Sequence, residues 1–118
     1  MYRKMLKEKL HRAVVTESDL HYEGSLTVDK NLLDAADIRE YEMVQVVDID
    51  NGARLETYAL AGEVGSGEIK ANGAAARLIH PGDKIIIMTY VHAPDAELAR
   101  WQPKIILVKG DNSIKEIL

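Results

Sequence analysis

Gly24-Ser25, within Leu20-His21-Tyr22-Glu23-Gly24-Ser25, is the first place in the chain where covalent chemistry suggests itself. Glycine has no Cβ, so its carbonyl can be held in backbone conformations that other residues reach only with strain. A serine hydroxyl on the next residue would then have that carbonyl to attack. Gly-Ser is also a common turn dipeptide, and on two residues alone the turn is the better reading. The other candidates are weaker still. Gly65-Ser66-Gly67 lacks the glycine spacing and following lysine of a phosphate-binding loop. His11, His21, His80 and His92 show no close helical or strand spacing, so no metal site is expected. Arg54 and Tyr58 fall on one strand face, and Asn72-Gly73, taken alone, is a turn.

The elements that must position these residues are mostly short strands. Propensity makes Met1 to Leu10 a short helix, because Met, Leu, Lys and Glu dominate it, and Leu10 to Thr16 a strand ended by polar Glu17-Ser18-Asp19. Ser25 to Val28 alternates like a half-buried strand, and Asp29 then caps a helix holding Leu32, Leu33, Ala35 and Ala36 that stops near Asp37. Met43 to Ile49 and Ala53 to Leu60 flank Asn51-Gly52, the preferred centre of a type I′ hairpin turn. On the second of these strands Arg54, Glu56 and Tyr58 face one way while Leu55, Thr57 and Ala59 face the other. Glu68 to Ala71 is a short strand, and Asn72 to Ala76 adds one helical turn. Pro81-Gly82 suits a type II turn before Lys84 to Val91, the most apolar and hence central strand. Pro94-Asp95 opens a short helix through Arg100, Ile105 to Val108 is a strand, and Ile114 to Leu118 is an edge strand or a frayed end. Such a pattern predicts a β-barrel or mixed β sandwich with small helical insertions.

Composition bounds the function. At 118 residues the chain is the length of one domain. With 47% hydrophobic and 29% charged residues it has the balance of a globular protein, and with no Phe its core must be aliphatic. Zero cysteines exclude disulfides and thiolate chemistry. The net charge of −4 argues against a nucleic-acid partner, although Arg3, Lys4, Lys7, Lys9 and Arg12 make the N-terminus locally basic. No apolar run approaches the ~20 residues that span a bilayer, and no secretory signal is evident, so the expectation is a cytoplasmic protein with no membrane partner.

The conjunction of several segments changes the weight of Gly24-Ser25. Lys9-Leu10-His11-Arg12, Asp19 to Ser25, Leu33-Asp34-Ala35-Ala36, Asn51-Gly52, Thr57-Tyr58-Ala59 and Asn72-Gly73-Ala74-Ala75-Ala76 together resemble the pyruvoyl-dependent aspartate 1-decarboxylase family, and the resemblance runs from about Met5 to Gly110-Asp111-Asn112. It implies a mainly β fold, a double-psi β-barrel assembled as a homotetramer, and turns Met1 to Leu10 into a strand that carries Lys9 and His11 to a pocket. It further implies self-cleavage between Gly24 and Ser25 into residues 1–24 and 25–118. Ser25 would be the nucleophile and Thr57 the donor to the developing oxyanion, leaving a pyruvoyl group made from Ser25 that forms a Schiff base with L-aspartate; neither a metal nor pyridoxal phosphate would be needed. Arg54 and Lys9 would hold the two substrate carboxylates. Tyr58 would protonate the carbanion-like intermediate, since a phenol is protonated at neutral pH and can donate. Asn72, Gly73, Ala74 and Ala75 would bind substrate, with His11 and Tyr22 lining the pocket. The product would be β-alanine for pantothenate synthesis, and a maturation factor is a further partner the family admits. Val64 stands where relatives often carry Arg, and Asp37 where a helix-ending Gly is common. The rival is a small β-barrel module using the basic N-terminus to hold an anion or nucleic acid.

Overall fold

The computed structural model describes residues 1–118. Nine strands hold a short helix and two 3-10 turns: β1 (Tyr2–Val14), β2 (Glu17–Asp19), β3 (Ser25–Asp29), α1 (Lys30–Ala36), β4 (Met43–Asp48), β5 (Arg54–Gly62), β6 (Ile69–Asn72), β7 (Lys84–Pro94), β8 (Lys104–Val108) and β9 (Ile114–Ile117). The 3-10 turns are Gly73–Arg77 and Asp95–Glu97. The strands are hydrogen-bonded in the order β2-β6-β3-β5-β4-β7-β1-β8-β9. The mainly β class with small helical insertions is as expected.

The propensity-based helix at Met1 to Leu10 is overturned. This stretch opens β1, which pairs antiparallel with β7 from Tyr2 opposite Pro94 to Val14 opposite Lys84, and parallel with β8 from Glu8 to His11. β7 is rich in β-branched Ile, Thr and Val, and a partner of that kind outweighs local helix preference. Alternation then buries Glu8 and Leu10 and turns Lys9 and His11 to the other face. Register breaks at Lys7 and at Arg12, where a left-handed residue (φ 72°) marks the second bulge.

Three smaller expectations are also corrected. Glu17–Asp19 is not a turn but a strand, because Ser18 and its neighbours pair in parallel with β6. The β4–β5 connection is not type I′. The Asp48 carboxylate accepts from the N–H groups of Asp50 (2.8 Å) and Asn51 (3.2 Å), which opens a four-residue loop in which Gly52 alone is left-handed. β7 runs on to Pro94 because Tyr2 and Arg3 pair with its end, so only Asp95–Glu97 is left to coil where a helix through Arg100 was expected. The C-terminus is held as β9 against β8. Pro81-Gly82 does form the type II turn, with Gly82 at φ 89° and Asp83 N–H donating to His80 C=O at 3.0 Å.

The core is one cluster of 19 buried aliphatic residues, with Leu26, Leu32, Ile69, Ile85, Ile87 and Ile106 fully enclosed. Two polar side chains tie the loops to it. Asp29 caps α1 by accepting from Asn31 N–H at 2.8 Å, and also accepts from the N–H groups of Gly65 (3.0 Å) and Gly67 (2.9 Å). The N–H groups of Gly65 and Gly67 are thus taken by an internal carboxylate and that of Ser66 by Glu63 C=O, which removes the phosphate-cradle alternative. Asn112, itself left-handed, accepts from Val14 N–H and donates to Val14 C=O and Gly67 C=O. The Asp29 contacts tie the end of β3 to the loop that leads into β6, at the opposite end of the strand pair from Ser25.

Candidate active site

β3 lies between β5 (parallel, Leu26 opposite Ala59) and β6 (antiparallel, Ser25 opposite Asn72). That placement brings residues from three distant parts of the chain to one cleft of about 170 Å³, lined by Gly24, Ser25, Thr57, Asn72, Ala74 and Ala75 together with Leu55, Glu56 and Leu78. Ser25 and Asn72 are fully buried. The Asn72 amide donates both its hydrogens, one to Ser25 Oγ at 2.7 Å and one to Thr27 Oγ1 at 2.9 Å. Asn72 Oδ1 is buried with no partner. A buried unsatisfied acceptor is uncommon and is the sort of local expense found at working sites.

The serine oxygen is therefore fixed beside the Gly24 carbonyl group's own residue, out of bulk water, with a polar amide on it. Gly24 itself does not use glycine's conformational freedom: it has no left-handed φ, and a Cβ there would meet nothing within 4 Å. The backbone latitude expected at Gly24 is found instead at Gly73, whose φ is +66°.

The remaining expected residues lie elsewhere in the protomer. Lys9 and His11 sit on β1, separated from β3 by β5, β4 and β7. Arg54 and Tyr58 are on the exposed face of β5, opposite to Leu55 and Thr57, and the Tyr58 ring stands 6.3 Å from that of Tyr41. Tyr22 is half-exposed, with Lys70 Nζ 4.6 Å from its ring centre. Partial burial, reinforced by Lys9 and Arg12, lowers the pKa of His11 below its usual value. No cation lines the Ser25 cleft; its one charged side chain is Glu56.

Four lining or supporting residues were not foreseen. Thr27 was findable, since strand alternation puts it on the face of Ser25. Glu56 shares the face of Arg54 and gave no sign of reaching this cleft, and Leu55 and Leu78 gave no chemical signal. A larger cleft of about 410 Å³, bordered by Lys4, Gln45, Glu56, Tyr90 and His92, lies over β4, β7 and β1 and does not include Ser25.

Together these features define a small mainly β protein organised around one buried serine hydroxyl gripped by an amide. The aspartate decarboxylase family model matches residues 1–115. The chain belongs to the aspartate decarboxylase family, enzymes that convert aspartate to β-alanine. It is 55% identical over 117 residues to the aspartate 1-decarboxylase of Ralstonia nicotianae, an alignment covering 99% of this chain and 98% of that protein. The β architecture agrees with the double-psi barrel of the family. No helix is long and apolar enough to cross a membrane.

Proposed function

We propose that this chain is a pyruvoyl-dependent L-aspartate α-decarboxylase that makes its own prosthetic group by cutting itself between Gly24 and Ser25. The observation that carries this is the buried contact between the Asn72 amide and Ser25 Oγ, the hydroxyl of the residue whose nitrogen forms the Gly24–Ser25 peptide. In the first step Ser25 Oγ attacks the Gly24 carbonyl carbon; a C–O bond forms, the C–N bond breaks, and the hydroxyl proton ends on the Ser25 amine. The resulting ester then loses the Ser25 α-proton and expels the Gly24 carboxylate, leaving dehydroalanine, which water converts to a ketone with release of ammonia. A serine hydroxyl is a poor nucleophile. Each well-placed donor to the developing oxyanion is worth roughly 3 to 4 kcal/mol, and Thr57, in the same cleft, is assigned that role.

After the cut, residues 1–24 stay in place because β1 and β2 remain paired with β7, β8 and β6. The cleft fits the group: Ser25 and Asn72 are fully buried beside it, and Asn72 Oδ1 is an acceptor with no partner. Asn72, Gly73, Ala74 and Ala75 would hold it. The pyruvoyl carbonyl supplies the electron sink for loss of CO₂.

A dicarboxylate cannot be bound by a cleft whose one charge is Glu56 unless cations arrive from outside the protomer. Lys9 and Arg54, both on outer faces, are suited to supply them from a neighbouring copy. This favours the homotetramer of the family, with Tyr58 as proton donor, and with His11 and Tyr22 at the pocket edge. A cytoplasmic enzyme feeding β-alanine to pantothenate synthesis follows from the same assignment.

Intact-mass measurement on the purified chain tests the proposal. The expected products are a fragment ending at Gly24 and a larger one whose N-terminus lacks the serine amine, together with β-alanine from aspartate. Ser25→Ala should remain whole and inactive. A wild-type chain that stays uncut on prolonged incubation, and forms no β-alanine, sinks the assignment; cutting only after cell extract is added would transfer the trigger to a maturation factor.

A further inference from the structure

We propose that Gly73 is the positioning residue that seats the Gly24–Ser25 peptide for attack, an inference that rests on self-cleavage at that bond. The β3–β6 register puts Ser25 opposite Asn72 and so brings Gly24 against Gly73. The approach is too close for any side chain. A Cβ on Gly73 would stand 2.9 Å from Gly24 Cα, 2.9 Å from Gly24 N and 2.9 Å from Tyr22 O. All three are backbone atoms, so no flexible side chain can swing aside. Carbon contacts relax at about 3.5 to 4.0 Å, so a methyl group here would push the Tyr22–Gly24 segment by roughly 0.5 to 1 Å relative to the amide that holds Ser25 Oγ.

The displaced atoms belong to the residue whose carbonyl carbon must meet that oxygen. Ser25 is anchored through its Oγ by the Asn72 amide and would not follow. A misplacement of about 1 Å between reacting groups lowers a rate by about 100-fold. Gly73 thus acts on the first covalent step, the one in which the C–O bond forms, the C–N bond breaks and the hydroxyl proton passes to the Ser25 amine.

Gly67 provides the matched control. It too is left-handed (φ +70°), and a Cβ there would meet a backbone atom, Asp111 O, at 2.8 Å, away from the Ser25 cleft. Gly67→Ala therefore suffers the same two insults without touching the scissile peptide. Both variants and wild type are followed by intact mass, in trimethylamine N-oxide so that destabilised chains remain folded, with urea unfolding to verify cooperativity. Gly73→Ala is expected to cleave about 100-fold more slowly than wild type, and Gly67→Ala within a few-fold of it. Hydroxylamine, which splits esters, should not release fragments from Gly73→Ala, because no ester has formed. Cleavage of Gly73→Ala within a few-fold of wild type, equal slowing in Gly67→Ala, or fragments released from Gly73→Ala by hydroxylamine would each overturn the inference. A wild-type chain that never cuts overturns the self-cleavage reading and this inference with it.

Discussion

Glu8→Gln is expected to remove the loss of stability that Glu8 contributes between pH 5 and pH 8. Glu8 is 1% exposed on β1. It accepts a hydrogen bond from the Thr89 hydroxyl, and Lys7 Nζ lies 3.6 Å from its other oxygen. Burial dominates and raises its pKa from 4.5 to about 7; Lys7 opposes this, and Glu42 adds to it. In the unfolded chain the carboxyl returns to its ordinary value, so between the two values the native state binds a proton that the unfolded state does not. The stability from that proton is full below pH 4.5 and is lost as pH rises through 7. At about 1.4 kcal/mol per pKa unit the whole effect is roughly 3 kcal/mol, of which about 2 to 3 kcal/mol falls between pH 5 and 8. Glutamine keeps the acceptor for Thr89 and cannot ionise. Urea unfolding of Glu8→Gln and its parent, both carrying Ser25→Ala so that a single species unfolds, should show the Gln variant little different at pH 5 and ahead by roughly 2 kcal/mol at pH 8. All other titrations cancel in the difference. A gap between the two proteins that is the same at both pH values would refute the reasoning.

Asp48→Asn should stabilise the protein by about 1 to 2 kcal/mol at pH 8. Asp48 is fully buried, its Oδ2 lacks a donor, and its pKa is raised by burial and then by Asp83, so an amide that donates to Asp83 and still accepts from Asp50 and Asn51 relieves it; the gain, read from urea midpoints, should shrink as acid protonates the native carboxyl. Asp37→Gly should raise stability by about 0.5 to 1 kcal/mol, because Asp37 ends α1 in the left-handed region at φ 57°, where glycine carries no Cβ penalty. A lower unfolding midpoint for Asp37→Gly would remove the αL cap from the account.

Much of the fold could be seen in single segments. The β-branched runs of β4, β7 and β8 announce themselves, and Asp29 followed by Leu32, Leu33 and Ala36 marks α1 from cap to end. What could not be seen belongs to pairs of segments. Met1 to Leu10 is a strand because β7 is its neighbour, and Glu8 looks like any solvated acid until Leu10 and Thr89 enclose it. Asp48 falls inside the Met43 to Ile49 strand run and carries no sign in the sequence that Asp83 would lie beside it or that its Oδ2 would be buried without a donor. Gly24 invites a conformational explanation by being the glycine in the motif, yet its backbone is ordinary and the steric demand falls on Gly73.

The candidate site follows the same rule. Ser25, Thr57 and Asn72 were expected from the resemblance, and the order β6-β3-β5 is what gathers them. Lys9 and Arg54 were expected with equal weight, but the alternation that buries Leu10 turns half-buried Lys9 to the other face of β1, and Arg54 stands on the exposed face of β5 opposite to half-buried Leu55 and Thr57. One register carries the inner half of the site. Ser25 opposite Asn72 sets the 2.7 Å contact on the hydroxyl and, one residue along, the glycine pair that leaves room for the peptide. A slip of one residue would turn Ser25 and Thr27 to the opposite face and place a side chain against Gly24. The far end of that register is set where β3 finishes, by the Asp29 N–H donating to Glu68 C=O at 2.8 Å just before β6.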